Sequence, residues 1–275
     1  MTDDRARWAQ AAAGWERNAD AMRRATMPVS AWMVDAVGPQ PGDTILDVAA
    51  GTGDTGFVAA ELVEPGGTLI TSDFSPEMLT AAQRRAERLG LRNVRFRQID
   101  AKSIDLPAAS IDGVLCRWGY MLLDDPNAAL RETRRVLRPG RRVALAAWAA
   151  PEHNQWSTVP RRVVTARGIV GPPDPRTPGQ FTWAEEGVIA SELAAAGFVD
   201  YDVDRVDFAS EFASAEDWWA TMRSLSGVLK EATARLDRAT EAEIIGELRR
   251  AAEPWTQPDG SLRIPARTWV AAATG

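Results

Sequence analysis

A glycine-rich turn between an apolar run and a helical segment limits the possible folds of this chain most strongly. The sequence LDVAAGTGDTG at residues 46–56 places Gly51, Gly53 and Gly56 in the spacing G-x-G-x-x-G. When such a turn follows a strand and opens a helix, its glycines let the backbone approach a ligand at the helix N-terminus. The spacing therefore predicts a βαβ unit with a ligand site at the carboxyl end of its first strand.

Short β-like runs alternate with helical runs along the chain. The predicted strands cover residues 44–48, 68–72, 93–98, 111–116, 142–148, 199–208 and 264–273. The predicted helices cover residues 5–24, 54–63, 75–89, 125 to the Pro139-Gly140 pair, 182–197 from a capping box at 182–185, 214–229 and 234–252, with a loop at 168–179. Because strands that alternate with helices form parallel sheets, the pattern predicts an α/β fold with helices flanking the sheet.

The composition excludes several classes of function. The 275 residues carry a net charge of -6, which argues against nucleic-acid binding because phosphates require a concentrated basic surface. A single cysteine, Cys116, and a single histidine, His153, exclude a zinc site built from these residue types. The lone cysteine fits a reducing compartment, and the longest apolar run, residues 143–150, is too short for a bilayer. We therefore expect a cytoplasmic protein with no metal site and no membrane span.

Two acidic residues bear on which ligand the glycine turn suits. Asp73 lies 20 residues past Gly53, where a dinucleotide-binding protein has its ribose-binding acid. Asp47, at the end of the first strand, would repel a pyrophosphate but attract an ammonium or a sulfonium. S-adenosylmethionine carries both cationic groups and no phosphate. Asp47 therefore favours S-adenosylmethionine over a dinucleotide, and Gly56 is assigned only to packing of the helix on the strand.

Five motifs in a fixed order give the chain a resemblance to a known family. DVAAGTG (47–53) is followed by TSDFSPEML (71–79), RQIDAKSIDLP (97–107), IDGVLCRW (111–118) and ALRETRRVLRPGRRVALAAW (129–148). The series resembles the class I S-adenosylmethionine-dependent methyltransferases. Within them it is most similar to the ubiquinone/menaquinone C-methyltransferases and other small-molecule enzymes of the type 11 group. The resemblance covers residues 38–150, and AAAGF (194–198) and the final strand also fit it.

The resemblance implies a Rossmann-like fold with a seven-stranded, mostly parallel sheet and helices on both faces. We expect residues 1–37 to form an N-terminal helical lid and residues 38–208 to form the cofactor-binding core. Residues 209–260 are expected to form a helical cap inserted before the last strand, which lies within residues 261–275.

The same resemblance implies a role for each residue that matches a family motif. Asp47 and the backbone of Gly51 and Gly53, with Ala49 in the same turn, would hold the methionine end of the cofactor, and Asp73 would accept both ribose hydroxyls. The remaining cofactor-binding positions are Phe74 and Met78 beside the adenine, Asp100 and Ala101 at its amino group, and Cys116 and Arg117 near the methionine portion.

An acceptor that loses a proton during methyl transfer needs a general base and a pocket. His153 follows the strand at 142–148 and therefore lies at the carboxyl edge of the predicted sheet, and Tyr120 is a second candidate base. Some of the 11 tryptophans are expected to pack the core, and others to wall a pocket for a flat or apolar acceptor. The predicted pocket walls are Trp8, Trp15, Trp118, Trp156 and Trp219.

We therefore expect in-line methyl transfer from S-adenosylmethionine to a small aromatic or apolar acceptor, with S-adenosylhomocysteine as the product. Two alternatives stay open at this point. The first is an NAD(P)-dependent oxidoreductase, which the spacing of the glycines and Asp73 would also allow. The second is a non-catalytic relative that binds S-adenosylmethionine without transferring its methyl group.

Overall fold

The computed structural model describes residues 2–174 and 176–275. Within these ranges the chain forms seven strands and nine α-helices. The strands are β1 (Thr44–Asp47), β2 (Thr68–Asp73), β3 (Val94–Gln98), β4 (Ile111–Arg117), β5 (Leu137–Trp148), β6 (Val199–Phe212) and β7 (Leu262–Thr274). The helices are α1 (Thr2–Val37), α2 (Asp54–Leu62), α3 (Pro76–Leu89), α4 (Pro126–Val136), α5 (Gln155–Ala166), α6 (Val188–Ala195), α7 (Ala215–Leu225), α8 (Gly227–Ala232) and α9 (Arg238–Ala251).

The seven strands form one sheet in the order β3-β2-β1-β4-β5-β7-β6. β7 runs antiparallel to β5 and β6, and the other neighbouring strands are parallel. Successive residues of the central strands are fully buried, as at Ile45 and Leu46 of β1 and Val114 and Leu115 of β4. Since successive side chains point to opposite faces, both faces of the sheet are covered by helices. The predicted seven-stranded, mostly parallel sheet is confirmed.

The sheet order places a crevice at the carboxyl ends of β1 and β4. β2 and β3 lie on one side of β1, and the connection after β3 crosses to β4 on the other side, so the strand order reverses between β1 and β4. In open α/β sheets ligands bind at such a switch point, beyond the carboxyl ends of the strands. Asp47, Asp73 and Arg117 are the last residues of β1, β2 and β4, so all three lie at this edge.

The first helix is longer than the predicted helix at 5–24, because α1 continues through Pro28 to Val37. A proline inside a helix removes a backbone hydrogen bond and usually kinks or ends the helix. Here the residues after it, Val29, Met33 and Val34, are buried in the main core. Burial of this face compensates for the proline, and a local sequence pattern cannot show that burial.

The Pro139-Gly140 pair lies within a strand and does not mark the end of a helix. α4 ends at Val136, and β5 already pairs with β4 at Leu137, opposite Ile111. The register between the two strands then shifts, and Gly140 has a φ of 76°. An irregularity of this kind accommodates a Pro-Gly pair in an extended strand, so the predicted helix boundary at 139–140 is wrong.

Three helical segments in the second half also differ from the prediction. α5 has no counterpart among the predicted elements, because Pro160 interrupts its pattern, and its apolar face is buried only by tertiary contacts. α6 begins after Gly187, so the capping box at 182–185 does not start it. The single helix expected at 214–229 is divided at Ser226, whose hydroxyl caps α8.

The edge of the sheet that carries β6 and β7 extends beyond its neighbours. β5 ends at Trp148 opposite Thr268, whereas β7 begins at Leu262 and stays paired with β6 up to Phe212. α7, α8 and α9 connect these two long strands, and α1 packs against α7 and α8. At Gly14 the approach of α1 to α7 is so close that a Cβ would lie 1.8 Å from the carbonyl oxygen of Ser224.

Candidate functional site

The glycine turn bends tightly between β1 and α2. Ala49, Gly51 and Gly53 have φ values of 52°, 55° and 87°, in the left-handed region that favours glycine. Gly53 is also constrained by space, because a Cβ there would lie 2.4 Å from the Phe57 ring. The turn therefore brings backbone, with little side-chain bulk, to the N-terminus of α2, where backbone N–H groups favour a polar ligand.

Asp47 lies under this turn and is held by the first turn of α2. Its side chain is buried, and its Oδ2 accepts a hydrogen bond of 2.9 Å from the backbone N–H of Gly56. A Cβ at position 56 would lie 2.6 Å from that same oxygen. Burial raises the pKa of Asp47 to about 7, although the Gly56 hydrogen bond and the charge of Arg117 act in the opposite direction. The sequence predicted only a packing role for Gly56. The structure shows that Gly56 also positions the Asp47 carboxyl.

Asp73 joins the end of β2 to the glycine turn. Its Oδ2 accepts a hydrogen bond of 2.9 Å from the Gly51 N–H, and its Oδ1 accepts one of 2.9 Å from the Ser75 N–H. Burial raises the pKa of Asp73 to about 6 against the lowering effect of these hydrogen bonds. Each carboxylate oxygen has a further lone pair, so Asp73 can still accept two hydroxyl donors.

A buried ion cluster ties α1 to the same edge of the sheet. Asp54 at the start of α2 is 2% exposed and pairs with Arg85 at 2.6 Å and with Arg117 at 3.0 Å. Arg117 also donates a hydrogen bond to the Thr26 hydroxyl of α1. A further hydrogen bond of 3.0 Å, between the hydroxyls of Ser30 and Thr55, joins α1 to α2. Sequence reasoning identified Arg117 but missed Asp54, Arg85 and Thr26, because no local pattern links residues so far apart.

The charges at this edge distinguish between ligand classes. Both guanidinium groups of the cluster are engaged by Asp54, whereas among the described residues Asp47 and Asp73 accept hydrogen bonds but form no ion pair. Two buried carboxyl groups beside the turn favour a ligand with hydroxyl donors and a cationic group, and they oppose a pyrophosphate. The residues present therefore fit S-adenosylmethionine, which has ribose hydroxyls, an ammonium and a sulfonium.

Comparison with known proteins agrees with this chemistry. A family of methyltransferase domains matches residues 39–165. Nocamycin O-methyltransferase from Saccharothrix syringae is 33% identical over 198 residues, which cover 69% of this chain and 71% of that protein. The chain belongs to the S-adenosylmethionine-dependent methyltransferases. Demethylmenaquinone methyltransferase from Thermus thermophilus is 38% identical over 117 residues, or 42% of this chain and 52% of that protein. The matched segment thus spans about half the length of the quinone-modifying relative.

The fold of this methyltransferase is also found among solved structures. The YcgJ protein from Bacillus subtilis superimposes with a TM-score of 0.56 at 21% identity, over 89% of this chain and 97% of that protein. At this identity the likeness concerns the fold alone. Family membership favours methyl transfer over the dinucleotide-dependent oxidation that the glycine spacing also allowed, and S-adenosylmethionine is the cofactor of the family.

The residues expected around the adenine lie along β2, α3 and the end of β3. Phe74 is half-buried, and its carbonyl accepts a hydrogen bond of 3.1 Å from the Gln98 side chain. Met78 is buried in the first turn of α3. Asp100 is exposed, and its Oδ1 accepts a hydrogen bond of 2.9 Å from the Lys102 N–H, beside the buried Ala101.

Cys116 and Tyr120 of the methyltransferase are core residues. Cys116 is fully buried, and burial raises the pKa of its thiol. The Tyr120 hydroxyl shares a hydrogen bond of 2.6 Å with the Thr133 hydroxyl, and burial raises its pKa well above the ordinary value. A general base must be accessible and must ionise near the working pH. The structure therefore corrects the expectation that Tyr120 is a candidate base.

His153 lies on a short 3-10 turn directly after β5 and is exposed. It lines a cavity of about 320 Å³ together with Gln155, Phe208, Trp255 and Arg267. This cavity, the His153 cavity, lies beside the extended part of β6 and β7. The Phe208 ring that borders it packs against Trp118 and Trp148 at the carboxyl ends of β4 and β5.

The tryptophans expected to wall a pocket have different environments. Trp118 stacks on Trp148 with ring centroids 4.0 Å apart, and its indole N–H donates to Thr268 at 2.9 Å. Trp219 is 1% exposed, and its N–H donates to Glu241 of α9 at 3.1 Å. These contacts correct the pocket role for Trp118 and Trp219, because both indoles are committed to the protein interior.

Trp8, Trp15 and Trp156 complete the predicted set. Trp8 and Trp15 contact each other on α1 with ring centroids 6.3 Å apart, and the Trp15 N–H donates to the Leu225 carbonyl at 3.2 Å. Trp15 therefore attaches α1 to the end of α7. Trp156 at the start of α5 packs against Trp148 with ring centroids 5.1 Å apart, and it lines a second cavity, between α1, α7 and β6.

Among the described residues, no helix combines the length and the apolar character that crossing a membrane requires. In the same part of the chain, no group of three or more His, Cys, Asp or Glu side chains could hold a metal ion.

Proposed function

We propose that this chain transfers the methyl group of S-adenosylmethionine to a small acceptor with an aromatic or apolar body. The proposal rests on two carboxyl groups that accept hydrogen bonds from the backbone of the same glycine-rich segment. Asp47 is held by Gly56 and Asp73 by Gly51, each through a hydrogen bond of 2.9 Å. The named activities of the relatives, on nocamycin and on demethylmenaquinone, support a small-molecule acceptor.

Each part of the site has a proposed role toward the cofactor. Asp73 would accept the two ribose hydroxyls, since its oxygens keep free lone pairs while the Gly51 and Ser75 N–H groups fix its orientation. Asp47 would face the ammonium and sulfonium end, because its buried carboxyl forms no ion pair among the described residues. The backbone of Ala49, Gly51 and Gly53 would lie against the methionine portion. The other proposed contacts are Phe74, Met78, Asp100, Ala101, Cys116 and Arg117.

The cofactor and the protein would contribute different parts of the methyl-transfer reaction. When bound, S-adenosylmethionine would supply a methyl group on a sulfonium, from which a neutral thioether departs as an excellent leaving group. The protein then has to hold the acceptor in line, exclude water and accept a proton where the acceptor carries one. α1 covers the edge of the sheet through the Thr26–Arg117 and Ser30–Thr55 contacts, which supports a lid over the reacting centre.

His153 is the proposed proton acceptor. It is the one histidine of the chain, it is exposed, and it follows β5 at the edge of the sheet where the cofactor turn lies. This role requires that the acceptor reach the His153 cavity. Phe208 lines that cavity and packs against Trp148, which also packs against Trp156 beside the second cavity.

Each region of the chain has a proposed role in binding the cofactor or the acceptor. We assign residues 1–37 to the lid, 38–208 to the cofactor-binding core, 209–260 to a cap over the acceptor and 261–275 to the closing strand. The net charge of -6 supports a small-molecule acceptor over a nucleic acid, and the single cysteine supports a cytoplasmic location.

Two measurements test the proposal. Isothermal titration calorimetry should show micromolar or tighter binding of S-adenosylhomocysteine and no binding of NADH. Transfer of a labelled methyl group should then be measured on a panel of phenols, quinols and amines. Binding of NADH without binding of S-adenosylhomocysteine would contradict the proposal. Binding of S-adenosylhomocysteine with no transfer to any acceptor would instead indicate a non-catalytic binding protein.

A further inference from the structure

The two edge strands of the sheet carry opposite charges. β3, at one edge, has the sequence VRFRQ, and β6, at the other edge, begins with VDYDVD. Arg95 and Arg97 of β3 are exposed, and so is every residue from 199 to 205 of β6. Charged side chains of one sign usually keep an edge strand from pairing with its own copy. Because the two edges differ in sign, each repels a copy of itself but attracts the other.

The four charges nearest the middle of these strands are available to a partner. Arg95 and Asp204 form no ion pair in the described part of the chain. Arg97 and Asp202 each form one ion pair within the chain, at 3.4 and 3.2 Å, and the carboxylate side chains of these two pairs are 96% and 79% exposed. Exposed ion pairs are worth little, so both can exchange partners at small cost.

Apolar side chains alternate with the charges on both strands. Tyr201 and Val203 of β6 are 43% and 37% exposed, and Val94 and Phe96 of β3 are half-buried. Since successive residues of a strand point to opposite faces, each edge strand has one charged face and one apolar face.

One row of paired residues crosses the whole sheet and relates these faces to each other. From β3 to β6 the row consists of Phe96, Thr71, Asp47, Leu115, Ala144, Ala272 and Asp202. Residues paired across neighbouring strands point to the same face of the sheet. Phe96 therefore shares a face with Asp202, and Arg95 shares the opposite face with Val203.

This relation selects one orientation for a second copy at the β6 edge. β3 and β6 run in the same direction, because β7 is antiparallel to both β5 and β6. A second copy in the same orientation would set its Phe96 beside Asp202. A copy turned over about an axis across the strands instead presents its β3 antiparallel to β6, with its arginine face on the aspartate face and its apolar face on the apolar face.

We propose that β6 of one copy pairs with β3 of a second copy in this antiparallel orientation. Arg97 of the second copy then lies opposite Asp202, its Arg95 opposite Asp204 and its Phe96 opposite Val203. Opposite charges and apolar pairs in these positions stabilise neighbouring strands, and the free backbone groups of both edges pair as well. The inference concerns assembly and is independent of the proposed methyl transfer.

The contact has a distinctive consequence for the size of the assembly. It joins two different surfaces, so each added copy leaves one β3 edge and one β6 edge free, and the chain of copies stays open. β3 contributes only five residues, which makes the interface small and the association weak. The mean mass of the parent protein should therefore rise steadily with concentration and should not level off at the dimer.

Charge reversal at one opposed pair tests the proposal by analytical ultracentrifugation at low salt. Asp204→Arg and Arg95→Asp each set like charges opposite one another, so each variant alone should associate about tenfold more weakly than the parent, or less. An equimolar mixture of the two variants should associate like the parent, because each new charge meets its opposite on the other variant. A contact between two β6 edges would leave Arg95→Asp unaffected.

Glu231→Arg is the matched control, since it makes the same change of charge at an exposed position of α8, outside both edge strands. It should associate like the parent, and equal melting temperatures should show that all variants fold. The inference is overturned if the parent stays monomeric or stops at a dimer, or if either reversal alone associates like the parent. It is also overturned if the mixture fails to associate, or if Glu231→Arg weakens association as much as the reversals do.

Discussion

The backbone N–H of Gly56 and the carboxyl of Asp47 form a close pair beneath the glycine turn. The hydrogen bond between them is 2.9 Å long, and a Cβ at position 56 would lie 2.6 Å from Asp47 Oδ2. The third glycine of the motif thus positions a buried carboxyl group. It does so because only a residue without a side chain lets α2 approach that carboxyl so closely.

Gly56→Ala should therefore weaken the binding of S-adenosylhomocysteine at least tenfold. The new methyl group displaces Asp47, and overpacking of this kind costs about 1–3 kcal/mol. Calorimetric titration and thermal unfolding measure both effects. Gly246→Ala is the control, because position 246 lies in α9, where a Cβ meets only the end of Arg250 at 3.7 Å. That variant should gain up to about 1 kcal/mol from helix propensity, and equal behaviour of the two variants would contradict the role of Gly56.

Asp47→Asn should change how the stability of the ligand-free protein depends on pH. The pKa of Asp47 is raised to about 7 in the folded protein, whereas an unfolded aspartate has a pKa of about 3.9. Between these values the folded state holds the proton and the unfolded state releases it, so stability is lost as the pH rises from about 4 to 7. The asparagine has no proton to lose and keeps an oxygen for the Gly56 N–H.

Chemical denaturation at pH 5 and pH 8 tests this prediction. At pH 8 the Asp47→Asn variant should be more stable than the parent by about 2–4 kcal/mol, since one pKa unit corresponds to about 1.4 kcal/mol. At pH 5 most of that difference should disappear. Asp202→Asn, at a carboxyl that is 79% exposed, should leave the pH profile unchanged. Parallel profiles for Asp47→Asn and the parent would show that Asp47 is not buried as a neutral acid.

Asp73→Ala should weaken the binding of S-adenosylhomocysteine about 100-fold or more. Two hydrogen bonds to a charged group are lost, and each contributes about 1.5–3 kcal/mol. The Gly51 and Ser75 N–H groups also lose their acceptor, so we expect a lower melting temperature as well. Asp105→Ala, at a carboxyl that is 96% exposed, is the control. An affinity for S-adenosylhomocysteine within a few-fold of the parent would remove Asp73 from the ribose site.

The pH dependence of cofactor binding provides a separate check on Asp73. Its pKa is raised to about 6, mainly by burial, and only the ionised carboxylate accepts both hydroxyl donors without carrying a proton itself. The affinity of the parent protein for S-adenosylhomocysteine should therefore fall as the pH drops below about 6. The residual affinity of Asp73→Ala should lack this inflection.

Asp54→Asn should destabilise the protein by about 3–5 kcal/mol, because it leaves the Arg85 and Arg117 guanidinium groups buried without their counter-charge. Thermal unfolding should show a drop of several degrees. Asp20→Asn is a stringent control, since Asp20 lies 3.6 Å from the same Arg85 but is 84% exposed. That variant should change stability by less than about 1 kcal/mol. Similar losses for both variants would show that Asp54 has no special role.

His153→Ala should lower the rate of methyl transfer about 100-fold without changing the affinity for S-adenosylhomocysteine, because a general base acts on the acceptor only. Gln155→Ala, which alters the same cavity without removing a base, serves as the control. The comparison requires an acceptor from the panel that loses a proton on methylation. An unchanged rate in His153→Ala would exclude this residue from the mechanism.

The sequence alone predicted the parts of the fold that depend on neighbouring residues. The strand–turn–helix unit at 44–63 follows from an apolar run, from glycines with left-handed backbone and from a helix N-terminus. α3 likewise begins after Ser75, whose hydroxyl accepts from the Met78 N–H, with Pro76 in the first turn as predicted. In each case the residues that set the conformation lie within a few positions of one another.

The wrong predictions concern features that depend on contacts between residues far apart in the sequence. α1 continues past Pro28 because its later residues are buried against the sheet, and β5 includes Pro139-Gly140 because Leu137 pairs with Ile111 of β4. Trp118 could be assigned to a pocket from its position after β4, but its partners Trp148 and Thr268 lie 30 and 150 residues further along the chain. No periodic pattern reports such contacts.

The sequence by itself determined the seven strands, the glycine turn and the acids at the strand ends, because local backbone preferences and side-chain chemistry encode them. Only the tertiary structure decided that Gly56 holds Asp47, that Asp54 joins Arg85 to Arg117, and that Trp156, whose indole N–H has no partner among the described residues, lines a cavity. These features arise where distant segments exclude water together. Hydrogen-bond pairing, ion pairing and cavity shape depend on that exclusion.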